Sequence, residues 1–443
     1  MTTRVSARRT FYLETHGCQM NEHDSERMAG LMEVAGYVRV PDPELADVAI
    51  LNTCAIRENA DNKLYGHLGA LKPIKQRTGL RIAVGGCQAE KDREGVLERA
   101  PWVDVVFGTR NIDALPRLVA AVEKAGVALV EFAEQFEVHP SALPARRESA
   151  FHAWVAIQYG CNNACTFCIV PAVRGREVSR PLGEVVGEVR RLAEEGISEI
   201  SLLGQNVNSY GRDLTGRPIF AELLYALDEV PGIRRIRYTS PHPKDFGEDT
   251  ARAMAECGSV CEHLHFPVQS GSDAVLRRMK RAYSRRRYTE KIAMAREYIP
   301  GLALTTDLIV GFPAESDDEF EETLSLVEEM RYDSAFMFQY SRRPGTAAAE
   351  MQDQIAKAVV QERFDRLVAS QERISLERNR ELVDDVVELT IERTGSKRDD
   401  RRATGRSRTN KVVHVDAGEC RPGDVVNARV TDARAHYLVG EPA

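Results

Sequence analysis

The sequence predicts an α/β chain in three successive parts: an open parallel α/β sheet over residues 1–140, a partial (β/α)6 barrel over 148–378 and a small all-β barrel over 380–443. Three observations lead there. Strand-like and helix-like periods alternate through the first and second parts. The stretch His139-Pro140-Ser141-Ala142-Leu143-Pro144-Ala145-Arg146-Arg147 has two prolines and no periodicity, and reads as a linker between them. After a long helical pattern at 352–382, short β-rich runs broken by Gly and Pro take over.

In the first part, three runs share one form: residues 11–18, 48–54 and 81–87 are β-rich, turn small or polar, and close on Cys18, Cys54 and Cys87. A helix-like stretch follows each, and a further strand is expected at 104–108. Strand carboxyl ends are where parallel sheets build sites, so three cysteines at three strand ends can converge on one point. The alternative is three ordinary buried cysteines, but the repeated placement favours a three-cysteine iron–sulfur cluster. His16 and His23 flank Cys18, either as ligands or as hydrogen-bonding support for them.

The second part offers six strands, at 153–159, 199–203, 235–239, 262–268, 303–310 and 335–340, with helical patterns such as 182–195, 220–227 and 317–330 between them. Chemistry in such barrels sits at the carboxyl ends of the strands. Directly behind the first strand stands Tyr-Gly-Cys161-Asn-Asn-Ala-Cys165-Thr-Phe-Cys168. Three thiolates at this spacing leave one iron of a four-iron cluster without a protein ligand, as catalytic metal sites keep a vacant position. A structural zinc ion would want four ligands in two pairs, and no second pair lies nearby. Cys257 and Cys261 straddle a helix end and a strand start and read as structural, and Cys420 reads as a turn residue.

The chain of 443 residues is 43% hydrophobic and 29% charged, which suits a globular protein. No apolar run approaches twenty residues, so no membrane span is expected. Nine cysteines, an odd number and partly in metal-type spacing, suit a reducing cytoplasm better than a disulfide framework. A net charge of −7 argues weakly against nucleic acid, but its distribution does not. Between Arg393 and Lys411 stand eight basic residues against Asp399 and Asp400, and between Arg277 and Tyr288 seven basic residues and no acid. Such clusters on an acidic chain are expected to contact phosphates, and each taken alone is equally a solvated face.

The Cys161–Cys165–Cys168 triplet resembles that of the radical S-adenosylmethionine (SAM) enzymes. The order of three dispersed cysteines, a barrel with this triplet and a basic β-barrel is similar to the methylthiotransferases, over essentially the whole chain. Within that group, 202–211 (Leu-Leu-Gly-Gln-Asn-Val-Asn-Ser-Tyr-Gly), 263–272 (His-Leu-His-Phe-Pro-Val-Gln-Ser-Gly-Ser) and 340–346 (Tyr-Ser-Arg-Arg-Pro-Gly-Thr) resemble the branch acting on N6-dimethylallyladenosine in tRNA. One departure is Ala314 in Gly-Phe-Pro-Ala-Glu-Ser, where the family pattern has Gly; it matters only if that backbone needs positive φ.

The resemblance implies two 4Fe-4S clusters, one on Cys161, Cys165 and Cys168 that binds SAM and cleaves it to a 5′-deoxyadenosyl radical, and one on Cys18, Cys54 and Cys87 that holds the sulfur to be transferred. The radical would take hydrogen from carbon 2 of N6-dimethylallyladenosine next to the anticodon, and a methylthio group would replace it at the expense of two SAM. SAM contacts are expected from Phe167, Gln205, Asn206, Ser270 and Asp307, on strand-end position and resemblance. Arg174, Arg176 and Arg180 are expected either to meet phosphates or the SAM carboxylate, or to lie on a solvated loop. The C-terminal part becomes a TRAM-like RNA-binding barrel. Expected partners are a tRNA anticodon arm, an electron donor such as flavodoxin or ferredoxin, and a sulfur donor or cluster-repair protein, around a cytoplasmic monomer. The alternatives are a methylthiotransferase for threonylcarbamoyladenosine tRNA or a ribosomal protein, and, in another class, a non-catalytic iron–sulfur RNA-binding protein.

Overall fold

The computed structural model describes all residues except 1–8, 56–59, 137–138, 396–401 and 417. The chain forms two compact units. The first contains residues up to 148 together with 159–162 and 169–176, and the second contains the rest. The barrel and the C-terminal module therefore belong to one unit, and two short pieces around the cysteine loop belong to the other.

The first unit is built on a six-stranded, wholly parallel sheet in the order β2-β1-β3-β4-β5-β6. Its strands are β1 (Thr10–Thr15), β2 (Val38–Arg39), β3 (Val48–Thr53), β4 (Arg81–Gly86), β5 (Val105–Phe107) and β6 (Leu129–Glu131). Every residue of β3 is buried, because helices cover both faces of a parallel sheet and leave no polar side. One face packs Phe11, Met28, Ile50 and Phe107; the other packs Leu51, Leu64, Leu68, Ile82 and Val84. Thr15 lies level with Asn52, and Asn52 with Gly85, so the carboxyl ends of β1, β3 and β4 line up along one edge. Helix α1 (Gln19–Val34) begins one residue after Cys18, and the short α2 (Cys87–Asp92) begins on Cys87 itself. Gly86 makes that last turn possible: its φ is +90°, and a Cβ there would stand 2.5 Å from the carbonyl oxygen of Thr53.

In the second unit the strands β7 (His152–Ala156), β10 (Glu199–Leu203), β11 (Arg235–Tyr238), β12 (His263–His265), β13 (Ala303–Val310) and β14 (Ser334–Gln339) run parallel. The triples β7-β10-β11 and β12-β13-β14 are joined by a single bridge between Ile236 and Val260, giving the sequential order of a six-unit partial barrel. The short β8 (Gln158–Tyr159) and β9 (Val178–Ser179) flank the cysteine loop. The fourth strand is shorter than its expected span, because Pro267 has no N–H for the ladder and Gln269 takes a φ of +75°. Ile200, Leu202, Ile236, Leu304 and Leu308 pack against the helices. Alternate residues face the other way: His263 and His265 meet Thr305, and the ring of Phe336 lies 5.9 Å from that of His265.

The long helix Lys357–Arg380 leads to a closed five-stranded barrel in the order β15-β16-β17-β19-β18. Its strands are β15 (Val386–Thr394), β16 (Arg402–Ser407), β17 (Val412–Asp416), β18 (Val425–Ala433) and β19 (Leu438–Pro442), around Leu389, Ile391, Val413, Val430 and Leu438. Basic residues hold this barrel: two from β11, and part of the run that the charge pattern assigns to phosphates. Arg235, fully buried, donates to the carbonyl of Arg406 (2.7 Å) and to the Glu388 carboxylate (2.7 Å). Arg237 donates to the carbonyls of Ser407 (2.9 Å) and Arg408 (3.1 Å). Lys411 reaches Asp333 (2.7 Å) and Asn379 (2.8 Å), and Arg406 pairs with Glu392 (2.6 Å). Lys397, Arg398 and Arg401 lie outside the described residues, which leaves Arg393 and Arg402 as exposed cations of that run. The expectation that this run contacts phosphates is narrowed: of its five described cations, Arg406, Arg408 and Lys411 are paired within the protein.

Candidate metal centres and the barrel face

Asn21, on the first turn of α1, ties the three cysteine loops of the first unit together. Its Nδ2 donates to the carbonyls of His16 (2.9 Å) and Thr53 (2.9 Å), while its Oδ1 lies 3.8 Å from Cys18 Sγ and 4.0 Å from Cys87 Sγ. Asn52 braces Asn21 from behind, donating to its carbonyl (2.8 Å) and to Ser25 (2.9 Å). Gly17 closes the gap: a Cβ there would stand 3.0 Å from Cys54 Cβ. Cys18, Cys54 and Cys87 are thus gathered at one sheet edge. Burial pushes the Cys87 thiol up to about 12, against the pull of the Arg174 guanidinium.

Three soft thiol donors gathered at one edge suit iron–sulfur chemistry. Among the described residues, Glu14, His16 and His67 also bring three possible ligand atoms within 4.8 Å of one another. The histidines beside Cys18 are committed elsewhere. His16 Nε2 faces Glu14 at 3.3 Å, and His23 spans Asp24 (3.4 Å) and Ser141 (3.5 Å). Both histidines are held by these partners, and the three thiols stay the candidate ligands.

Arg174 is buried rather than solvated, with one nitrogen donating to both Asn21 Oδ1 (2.9 Å) and Asp24 Oδ2 (3.0 Å). Arg180 is likewise buried on Glu188 (2.6 Å) and the Ala156 carbonyl (2.8 Å). Of the three arginines singled out, Arg176 alone is exposed.

The loop carrying Cys161, Cys165 and Cys168 is pinned on each side within its own unit. In the first, the Cys161 amide donates to the Gly175 carbonyl (3.0 Å). In the second, Thr166 donates to the carbonyls of Met279 (3.1 Å) and Arg278 (3.0 Å), and accepts from the Ala348 amide (2.9 Å). Arg281 approaches Cys165 Sγ at 3.4 Å while also binding Tyr283 (2.7 Å) and the Pro267 carbonyl (2.9 Å). The 277–288 basic cluster is thereby reduced as a phosphate site, since Arg278 chelates Glu319 and Arg285 pairs with Glu329.

The residues expected at SAM are placed unevenly. Asp307 lies on the barrel face turned away from the helices, 3.4 Å from His265. Gln205 is half-buried just past β10. Asn206 donates to Asp245 (2.9 Å) and keeps a buried Oδ1 without a partner. Phe167, like Ile309 and Tyr340, packs against the buried cluster of Val275, Met279, Phe312 and Ala348. Ser270 is fully buried, its hydroxyl against Thr323 (3.2 Å) and the Ser272 amide (3.2 Å), inside the wall.

Sequence reading missed Trp154, His265, Phe336 and Phe338 on the same barrel face. Phe336 is 62% exposed and Phe338 49%, which is unusual for strand aromatics. Their alternation was the available signal. Asn21 and Asp24 were also missed, although a run of polar residues opening a buried helix pointed at them.

A parallel six-unit barrel with a three-cysteine loop behind its first strand defines a radical SAM enzyme. Residues 155–327 match the radical SAM superfamily, 10–108 the uncharacterized protein family UPF0004 and 380–443 the TRAM domain. The chain is 54% identical over 436 residues to the tRNA-2-methylthio-N(6)-dimethylallyladenosine synthase of Acidothermus cellulolyticus, covering 98% of this chain and 88% of the relative. It is 53% identical to the same enzyme of Salinispora arenicola, covering 100% and 90%. Among solved structures, the radical SAM methyltransferase TsrM from Kitasatospora setae, with cobalamin and a [4Fe-4S] cluster bound, is similar in fold at a TM-score of 0.57 and 14% identity, covering 77% and 74%. The chain belongs to the family of tRNA-2-methylthio-N6-dimethylallyladenosine synthases. Its cofactors are SAM and two 4Fe-4S clusters.

Proposed function

We propose that this enzyme transfers a methylthio group to carbon 2 of N6-dimethylallyladenosine beside the anticodon of tRNA. The observation that carries the reading is the pair of separate cysteine triplets, one gathered by Asn21 at a sheet edge and one on the loop behind β7. When bound, the clusters and SAM supply the radical and the sulfur, chemistry that no side chain here can provide. Cys161, Cys165 and Cys168 hold the cluster that meets SAM, and Cys18, Cys54 and Cys87 hold the other. The unpartnered Asn206 oxygen and the Asp307 carboxylate are available to the amino and hydroxyl groups of SAM, with Gln205 beside them and Phe167 shaping the apolar edge. Ser270 acts through the wall that carries it.

The open aromatic face of β14 suits the base. Phe336 and Phe338 offer a stacking and apolar surface to a prenylated adenine, which an anticodon loop can splay out at low cost. Phosphate contacts fall to Arg393, Arg402 and the exposed Arg277, Lys280 and Arg287. Among the described residues no helix is long and apolar enough to cross a membrane. A cytoplasmic monomer, served by a flavodoxin- or ferredoxin-type donor and a sulfur or cluster-repair donor, fits the chemistry. Incubating the reconstituted enzyme with prenylated and plain anticodon arms, and reading the nucleosides by mass spectrometry, tests the assignment. Methylthiolation of the prenylated arm is expected; equal turnover of plain adenosine, or modification of a ribosomal protein instead, would overturn it.

A further inference from the structure

Arg174 ends the five-residue helix Val170–Arg174, six residues beyond the last cysteine of the SAM-side loop, yet its side chain lies in the first unit against the other triplet. It is 5% exposed and Asp24 is 1% exposed. A buried ion pair of this kind is no better for stability than two well-packed apolar residues. It also leaves the guanidinium Nε buried and without a partner, a further cost that packing does not explain. The pair is organised around Asn21: the same Oδ1 that receives Arg174 lies beside Cys18 and Cys87. Asp24 is anchored from the opposite side by His23, which continues to Ser141 and from there to Tyr159 (3.0 Å). A fixed cation that itself hydrogen-bonds the Cys87 thiol, and a fixed anion behind it, therefore stand beside the sulfurs, buried where solvent screens them little.

We propose that Arg174 is the positioning and charge-compensating residue of the cluster on Cys18, Cys54 and Cys87, and that the Arg174–Asp24 pair sets that cluster's reduction potential. Three thiolates make a four-iron cluster anionic, and an added electron makes it more so. A nearby cation favours the reduced form and a nearby anion opposes it. The proposal rests on the two-cluster reading above, and its test separates the two.

The full-length chain is prepared with Cys161, Cys165 and Cys168 changed to Ala, so that one cluster remains, and is titrated anaerobically while the reduced cluster is followed by electron paramagnetic resonance. In that background Arg174→Gln should lower the midpoint potential and Asp24→Asn should raise it. Each is expected to change the reduction equilibrium by at least tenfold, or ~59 mV for a one-electron couple. Arg174→Lys, which keeps the charge, should stay near the parent. Opposite signs for the two variants cannot come from loosened packing. Equal potentials in all four proteins, or shifts of the same sign, overturn the proposal while leaving the cluster assignment standing. Absence of iron from the parent would overturn the assignment itself. If Arg174→Gln fails to fold, Asp24→Asn and Arg174→Lys decide the matter between them.

Discussion

Arg408, in the C-terminal barrel, grips Glu262 at the entry to β12 with two nitrogens, Nη2 to Oε1 at 2.6 Å and Nε to Oε2 at 2.9 Å. Its Nη2 also donates to the carbonyls of Gly258 (3.1 Å) and Val260 (2.8 Å), the second of which belongs to the residue bridging the two halves of the sheet. One side chain from the last module thus closes hydrogen bonds that the partial barrel leaves open at its seam.

Arg408→Ser should therefore behave as a stability variant. Four hydrogen bonds are lost, but the pair is part-exposed, so a loss of about 1–3 kcal/mol is expected by denaturant unfolding. Arg402→Ser removes an exposed cation and should leave stability alone. If Arg402 meets a phosphate, that change should reduce the slope of log affinity against log salt for tRNA by about one. Salt-titrated filter binding on both variants would reveal an exchange of these roles.

Ala314 sits at a φ of +62°, in the left-handed region, at an exposed turn where its amide donates to the Asp353 carbonyl (2.7 Å). The family's glycine there is thus a conformational requirement that this chain meets under strain. Ala314→Gly should recover ~1–2 kcal/mol of strain and give back ~0.5–1 kcal/mol of chain entropy. A small net gain in unfolding free energy is expected, and a loss would show that the turn tolerates alanine.

Glu26 is buried on α1, and desolvation raises its pKa to about 6 from 4.5, although it accepts from the Glu148 amide (3.3 Å). Below the unfolded value both states are protonated and nothing is lost. As pH rises from 4.5 through about 6 the unfolded chain gives up its proton first, so stability falls across that window and stays lower above it. Glu26→Gln keeps the acceptor and removes the charge. It should be more stable than the parent at pH near 7.5, by up to ~2 kcal/mol, with the difference fading toward pH 5. Unfolding midpoints at both pH values check the sign.

The two triplets should be separable. Changing Cys161, Cys165 and Cys168 to Ala should halve the iron and abolish SAM cleavage. Changing Cys18, Cys54 and Cys87 should halve the iron but spare SAM cleavage while methylthio transfer is lost. Iron assay and 5′-deoxyadenosine production read both, and loss of SAM cleavage in the second variant would refute the division.

Phe336→Ala should weaken the prenylated substrate more than a plain one. Burying a five-carbon prenyl group against an aromatic ring is worth ~2 kcal/mol, so KM should rise for the prenylated arm with little change in SAM cleavage. An unchanged KM would move the prenyl contact off β14.

The cysteines were legible because each marks a strand end, and strand ends are read from a period of two followed by a helix. The six-unit barrel was legible for the same reason. Arg235 and Arg237 were not, because their alternation with Ile236 and Tyr238 is the ordinary rhythm of a half-buried strand and says nothing of what the polar face meets. The run of cations up to Lys411 misled in the same way: charge density shows that partners exist, not whether they are phosphates or the chain's own Glu262 and Asp333. Ser270 was placed by strand-end position, and Pro267 and Gln269 had already turned that segment into the wall.

The gathering of three loops by Asn21 also bears on how iron can enter. Cys161, Cys165 and Cys168 lie within eight residues and can wrap an iron centre on a chain with no structure at all. Cys18, Cys54 and Cys87 are separated by more than thirty residues each, and closing two such loops on an unfolded chain carries an entropic cost that the finished sheet has already met. The second cluster is therefore a reporter of folding: it can be stably loaded only on a molecule whose N-terminal sheet is complete, and a partly denatured preparation should carry the first cluster without it.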